Sequence, residues 1–112
     1  MSEARLPTGL WVAAHLKLCA TRGVMATVLN RGDPDRGVVL QKLRRFDGRC
    51  AVLRQETDFD GATRWAAAFD GALRDEAEAD AYIARAQAMD PDLWVVEIES
   101  ADGWSPFEEG IV

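Results

Sequence analysis

Carboxylates at short, regular spacings are the residues of this chain with the most obvious chemical potential. Glu56-x-Asp58-x-Asp60-Gly61 reproduces the first half of an EF-hand calcium loop, in which alternate oxygen ligands surround a hard cation. The second half fails, because Ala67 stands where the bidentate glutamate belongs and no amphipathic helix leads in. Turns collect Asp and Gly for conformational reasons, so the stretch reads as a hairpin turn and no metal site is expected. Two Asp-Pro-Asp triplets, Asp33-Pro34-Asp35 and Asp90-Pro91-Asp92, could hold magnesium or share a proton. Glu97 and Glu99 lie two apart on one side of a strand pattern. A small enzyme or ligand-binding domain could be built if Asp33, Asp35, Glu97 and Glu99 converged in a pocket. The simpler reading is structural: Asp before Pro starts a turn, Asp after it bonds to backbone N–H groups, and an exposed strand face carries the glutamates.

The basic residues offer a different chemistry. Arg44, Arg45, Arg49 and Arg54 gather on one hairpin of an acidic chain, and guanidinium forks suit two-point binding of carboxylate or phosphate. They form the leading candidate contact surface, with solvated pairing to the chain's own Asp and Glu as the bland alternative. Trp11, near a chain end, is the aromatic candidate for binding. Nucleophilic catalysis has little to work with: His15 is the single histidine, expected on a helix surface, and no GxSxG or Cys-His signature is present. Nor is there a phosphate cradle, since RGDPDRG lacks a lysine and carries two carboxylates that repel phosphate. No cofactor is implied, and the reading leans away from an enzyme.

Composition narrows the classes further. With 112 residues, 48% hydrophobic and 29% charged, the chain has the size and balance of a single domain spanning 1–112 with one core. A net charge of -6 disfavours nucleic acid and anionic membrane surfaces. No apolar run approaches the ~18 residues of a membrane span, and Met-Ser-Glu-Ala-Arg-Leu-Pro is not a signal sequence, so a cytoplasmic location is expected. Cys19 and Cys50, without CxxC or zinc-ligand spacing, read as buried free thiols.

The elements that must position these residues follow from periodicity. Pro7 to Arg22 is a helix with an apolar stripe on each of two sides, Val12-Leu16-Cys19-Ala20 and Leu10-Trp11-Ala14-Leu18. Strands are expected at Val24–Asn30, Val38–Phe46 and Arg49–Glu56, the last two joined at Asp47-Gly48 and placed at an edge or solvated on one face, and at Arg64–Asp70. Asp75 caps a helix whose stripe is Ala79, Tyr82, Ile83, Ala86 and Met89; Pro91 ends it, and Leu93 to Glu99 returns as a strand with Trp94, Val96 and Ile98 on one face. Trp104-Ser105-Pro106-Phe107 is a tail that docks its rings on the body. The result is a two-layer α+β fold, a largely antiparallel sheet with two packed helices in the order α-β-β-β-β-α-β.

RLPTGLWV, RGDPDRGVVLQKL and, most specifically, ADAYIARAQAMDPDLWVVEIE resemble a small alphaproteobacterial family of unknown function over nearly the whole chain. The resemblance implies a bacterial cytoplasmic protein and carries no activity or catalytic residue. The expected function is a non-enzymatic interaction or adaptor protein that binds a protein partner or self-associates. A helix apolar on two sides needs two covers, and a second copy meeting it near Trp11 and Leu18 is one of them, beside the second helix and the tail.

Overall fold

Five strands form one sheet in the order β1-β5-β2-β3-β4 in the computed structural model, which describes residues 6–109. Along the chain these are α1 (Thr8–Thr21), β1 (Met25–Asn30), β2 (Val39–Arg44), β3 (Cys50–Thr57), β4 (Thr63–Ala67), a 3-10 turn (Ala68–Gly71), α2 (Glu76–Met89), β5 (Trp94–Glu99) and the short α3 (Pro106–Glu109). The α+β class and the order expected from sequence both hold, with one helical turn added in the tail. β5 pairs antiparallel with β1 and parallel with β2. The parallel pair requires a long crossover, and the β3–β4 hairpin together with α2 supplies it.

Alternation along the strands assigns each face. Val39 and Leu43 of β2 and Trp94, Val96 and Ile98 of β5 point toward α1 and α3, where they meet Val12, Cys19 and Phe107. Leu40, Val52 and Val95 point the other way and pack on Ala79 and Ile83 of α2. Both faces of the central strands are therefore covered, so the helices and sheet make three layers where two were expected, and Val95 and Val96 are both fully buried. The second helix starts as read: Asp75 Oδ1 accepts from the Glu78 N–H at 2.8 Å. Its stripe stops short of Met89, which is exposed.

The β1–β2 loop ties α1 to the head of β5. Gly9 and Thr8 donate their first-turn N–H groups to Pro34 O (2.8 Å) and Asp35 O (3.2 Å), and Trp94 Nε1 donates to Asp33 O at 2.7 Å. Neither Gly32 nor Gly37 in this loop adopts a positive φ. They permit close approach instead: a Cβ at Gly32 would lie 2.0 Å from Asp92 O, and one at Gly37 2.6 Å from the Trp94 ring.

Two expectations change. The strand placed at Arg64–Asp70 is extended only to Ala67, because Phe69 and Asp70 adopt φ 58° and 54° and turn the chain. Phe69 thereby leaves the Trp65 face and packs on Tyr82 of α2, ring centroids 5.4 Å apart. β2 is central, not at an edge, and the polar side chains that suggested solvation, Gln41 and Lys42, are buried. Lys42 and the Gln41 side-chain oxygen find partners from distant parts of the chain, whereas Gln41 Nε2 has none among the described residues.

Candidate functional site

Lys42 is 3% exposed, a burial that an ammonium tolerates only with compensating charge. Its Nζ lies 2.7 Å from Glu76 Oε2, 2.8 Å from Asp80 Oδ1 and 3.2 Å from Glu97 Oε1. Glu76 and Asp80 are one turn apart on α2, and Glu97 is the register partner of Lys42 in β5. One residue pair further along, Arg44 bridges Glu76 (3.3 Å) and its own register partner Glu99. Burial alone would push the Lys42 ammonium down; the bonds to Asp80, Glu76 and Glu97 outweigh it and hold it above the ordinary lysine range. The Lys42 bond in turn pulls the Glu76 carboxyl down. An ammonium held charged by three acceptors is neither nucleophile nor base, and the row ties α2 to the sheet.

The opposite face holds an aromatic cluster. Phe107 of α3 stacks on His15 with centroids 4.3 Å apart, and also meets Trp11 (4.9 Å) and Trp65 (5.2 Å). His15 was expected on the helix surface and is instead 1% exposed, because the tail lies over it. Its Nδ1–H donates to Trp11 O at 2.7 Å, and burial pushes its pKa down against that bond. Ser105 Oγ donates to the buried Gln41 Oε1 and accepts from Phe107 N–H, which fastens the tail to β2. The tail thus covers the second stripe of α1 around Trp11.

The arginines separate. Arg44 belongs to the ionic row, whereas Arg45, on the α1 side, lies against Gly103. Arg49 is held by Asp47, its Nε donating to Oδ2 at 3.0 Å, and the bonds from Arg49, its backbone N–H first, keep the Asp47 carboxyl low. Arg54 points to the α2 side and, among the described residues, has no carboxylate within ion-pair distance. Carboxylates therefore interrupt the stripe that a nucleic-acid surface needs. Trp11 is half-buried and stacked on Trp65 at 6.2 Å.

The acidic candidates do not converge. Asp33 bonds through its backbone N–H to Asp92 O at the head of β5, and Glu97 and Glu99 lie at the other end, roughly 17 to 23 Å along the chain. Asp33, Asp58 and Asp90 accept from N–H groups of their own turns. Among the described residues no group of three His, Cys, Asp or Glu side chains could hold a metal ion, and no helix is long and apolar enough to cross a membrane. Both cysteines are free and buried.

Where polar groups are committed, certain apolar ones are not, and sequence reading passed these over. Met25 and Thr27 of β1 are the register partners of Glu99 and Glu97 and so share the α2 side, where both are exposed. Met25 is 70% exposed and Leu29 49%. Phe59, at the tip of the β3–β4 hairpin, is fully exposed. An uncharged strand, MATVLN, and an aromatic inside an Asp-Gly turn were the available signals.

Fold and surface together define a small α+β domain with a paired row of charges on one face and open apolar positions at its sheet edge and hairpin tip. The chain belongs to the DUF1491 family of proteins of unknown function, which matches residues 6–108. A crystal structure of a DUF1491 family protein from Caulobacter crescentus is 39% identical, covering 89% of this chain and 92% of that one, with a TM-score of 0.80. An NMR structure of a DUF1491 family protein from the same organism is 36% identical over 93% of this chain and 94% of that one, with a TM-score of 0.81. The solution structure of protein Atu0922 from A. tumefaciens is 26% identical over 87% of each chain, with a TM-score of 0.73. A comparison with curated proteins gives no match.

Proposed function

We propose that the chain is a bacterial cytoplasmic, non-enzymatic interaction protein whose first partner is a second copy of itself, paired through the free edge of β1. The observation that carries this reading is the character of that edge. β1 borders only β5, and its six residues, MATVLN, include no charge or proline, two of the devices that blunt an edge strand; a register shift between Val28 and Asn30 confines the regular pairing edge to Met25–Val28. The opposite edge, β4, carries Arg64. Met25 and Leu29 add apolar area that a twofold antiparallel pair would bury. Buried free thiols at Cys19 and Cys50 suit a reducing compartment. Committed carboxylates and arginines argue against an enzyme built around them.

The test is light scattering coupled to size exclusion at high micromolar concentration, on wild type, Thr27→Lys and Met25→Lys. Wild type should elute with the mass of two chains and both variants with the mass of one, and all three should melt alike once diluted to where the pair dissociates. A wild-type mass of one chain overturns the reading.

A further inference from the structure

We infer that the β3–β4 tip is an anchor for a second, different protein, with Phe59 inserting into an apolar pocket whose rim carries lysine or arginine. The inference rests on the interaction reading above and deepens it, because β1 and β4 are opposite edges of the sheet and a pair formed at β1 leaves the tip free.

Phe59 is fully exposed, so its ring adds nothing to the core. The turn does not need it either. Asp58 Oδ1 accepts from Asp60 N–H (2.9 Å) and Ala62 N–H (3.0 Å), Asp58 N–H bonds to Ala62 O (3.0 Å), and Gly61 N–H bonds to Asp58 O (3.0 Å). Gly61 supplies the positive φ, 81°, that closes the turn. Every one of those bonds uses Asp58 or backbone, and any side chain at 59 would serve. An aromatic ring on a backbone already fixed by hydrogen bonds loses little freedom on docking, as a binding anchor should.

Charge around the ring states what kind of pocket fits. Glu56, Asp58 and Asp60 surround Phe59, and Arg64 is the cation beside a groove of about 320 Å³ lined by Glu56, Thr57, Asp58, Phe59 and Arg64. Three carboxylates against one guanidinium leave the tip acidic. A basic rim is the complementary partner, and an acidic one is excluded by repulsion.

The experiment places p-benzoylphenylalanine at position 59 of the full chain in cells of the source organism, with the same probe at Ala62 as control. The protein cross-linked from position 59 is purified, and its affinity for the chain is measured by calorimetry. Phe59→Ala should weaken binding at least tenfold at unchanged melting temperature. Asp60→Lys should weaken it severalfold, by an amount that shrinks as salt rises, and Thr27→Lys should bind as wild type does. Cross-linking no greater at 59 than at Ala62, or Phe59→Ala binding within twofold of wild type, overturns the inference. The mass of the wild-type chain separates the two failures: a dimer with no adduct at 59 rejects the anchor alone, and a monomer with no adduct rejects both.

Discussion

The two faces of the sheet solve the same problem by opposite means. On the α1 face the cover is aromatic, with Phe107, Trp11, Trp65 and His15 in mutual contact beside Trp94, and the polar groups buried with it, Gln41 and Ser105, are uncharged. On the α2 face, the apolar patch gives way to the row of Lys42, Arg44, Glu97 and Glu99 clamped by Glu76 and Asp80, and beyond that row Met25 and Thr27 stand open. Packing can be extended wherever an apolar side chain fits, so the α1 face closes over the full width of the sheet. A charge row must stop where its last partner is satisfied. The edge strand is left uncovered on that side, and the exposed positions proposed for contact follow from where the charges end.

The largest effect is expected on the aromatic face. Trp94 is 3% exposed, and Trp94→Ala should cost ~3 to 5 kcal/mol in denaturant unfolding through lost burial and the cavity left behind. A loss under ~1 kcal/mol would show that this face is not the stabilising one.

Lys42→Met tests the ionic face. Removing the cation leaves Glu76, Asp80 and Glu97 facing one another, but these carboxylates can turn to water, so a loss of about 2 kcal/mol is expected, below the full cost of a buried broken pair. The double substitution Lys42→Met, Glu97→Leu should recover most of it by packing. A double variant no more stable than the single one would mean that the row is held by more than its charges.

A smaller distinction appears in acid. Burial lowers the His15 pKa from its ordinary 6.5, so the unfolded chain takes up this proton first and stability declines as pH falls below 6.5. The Lys42 bond lowers the Glu76 carboxyl from 4.5, so its contribution is complete above that value and is lost as pH falls through the lowered one. His15→Gln should remove the upper decline and leave the lower one. An unchanged profile between pH 5 and 7 would take the titration away from the aromatic face.

Legibility differed between the faces for a physical reason. Local patterns carried the Asp75 cap, the Pro91 turn and the side of β5 that bears Trp94, because each depends on residues within a few positions of one another. Lys42 was passed over because its carboxylates lie 34 to 55 positions away, and only the matched alternation of Lys42 and Arg44 with Glu97 and Glu99 hinted at a row. His15 was misplaced because its cover comes from the tail. The need for Gly32 and Gly37 was hidden for the same reason, since backbone approach to Asp92 cannot be read from a loop's own composition.

The central claim, that β1 is an open pairing edge and β4 is not, is tested most directly by amide hydrogen exchange at two protein concentrations. Raised from low to high micromolar, the outward-facing N–H groups of β1 should become protected while those of β4 keep their rates, both edges being free in the single chain. Protection that is independent of concentration at both edges would contradict it.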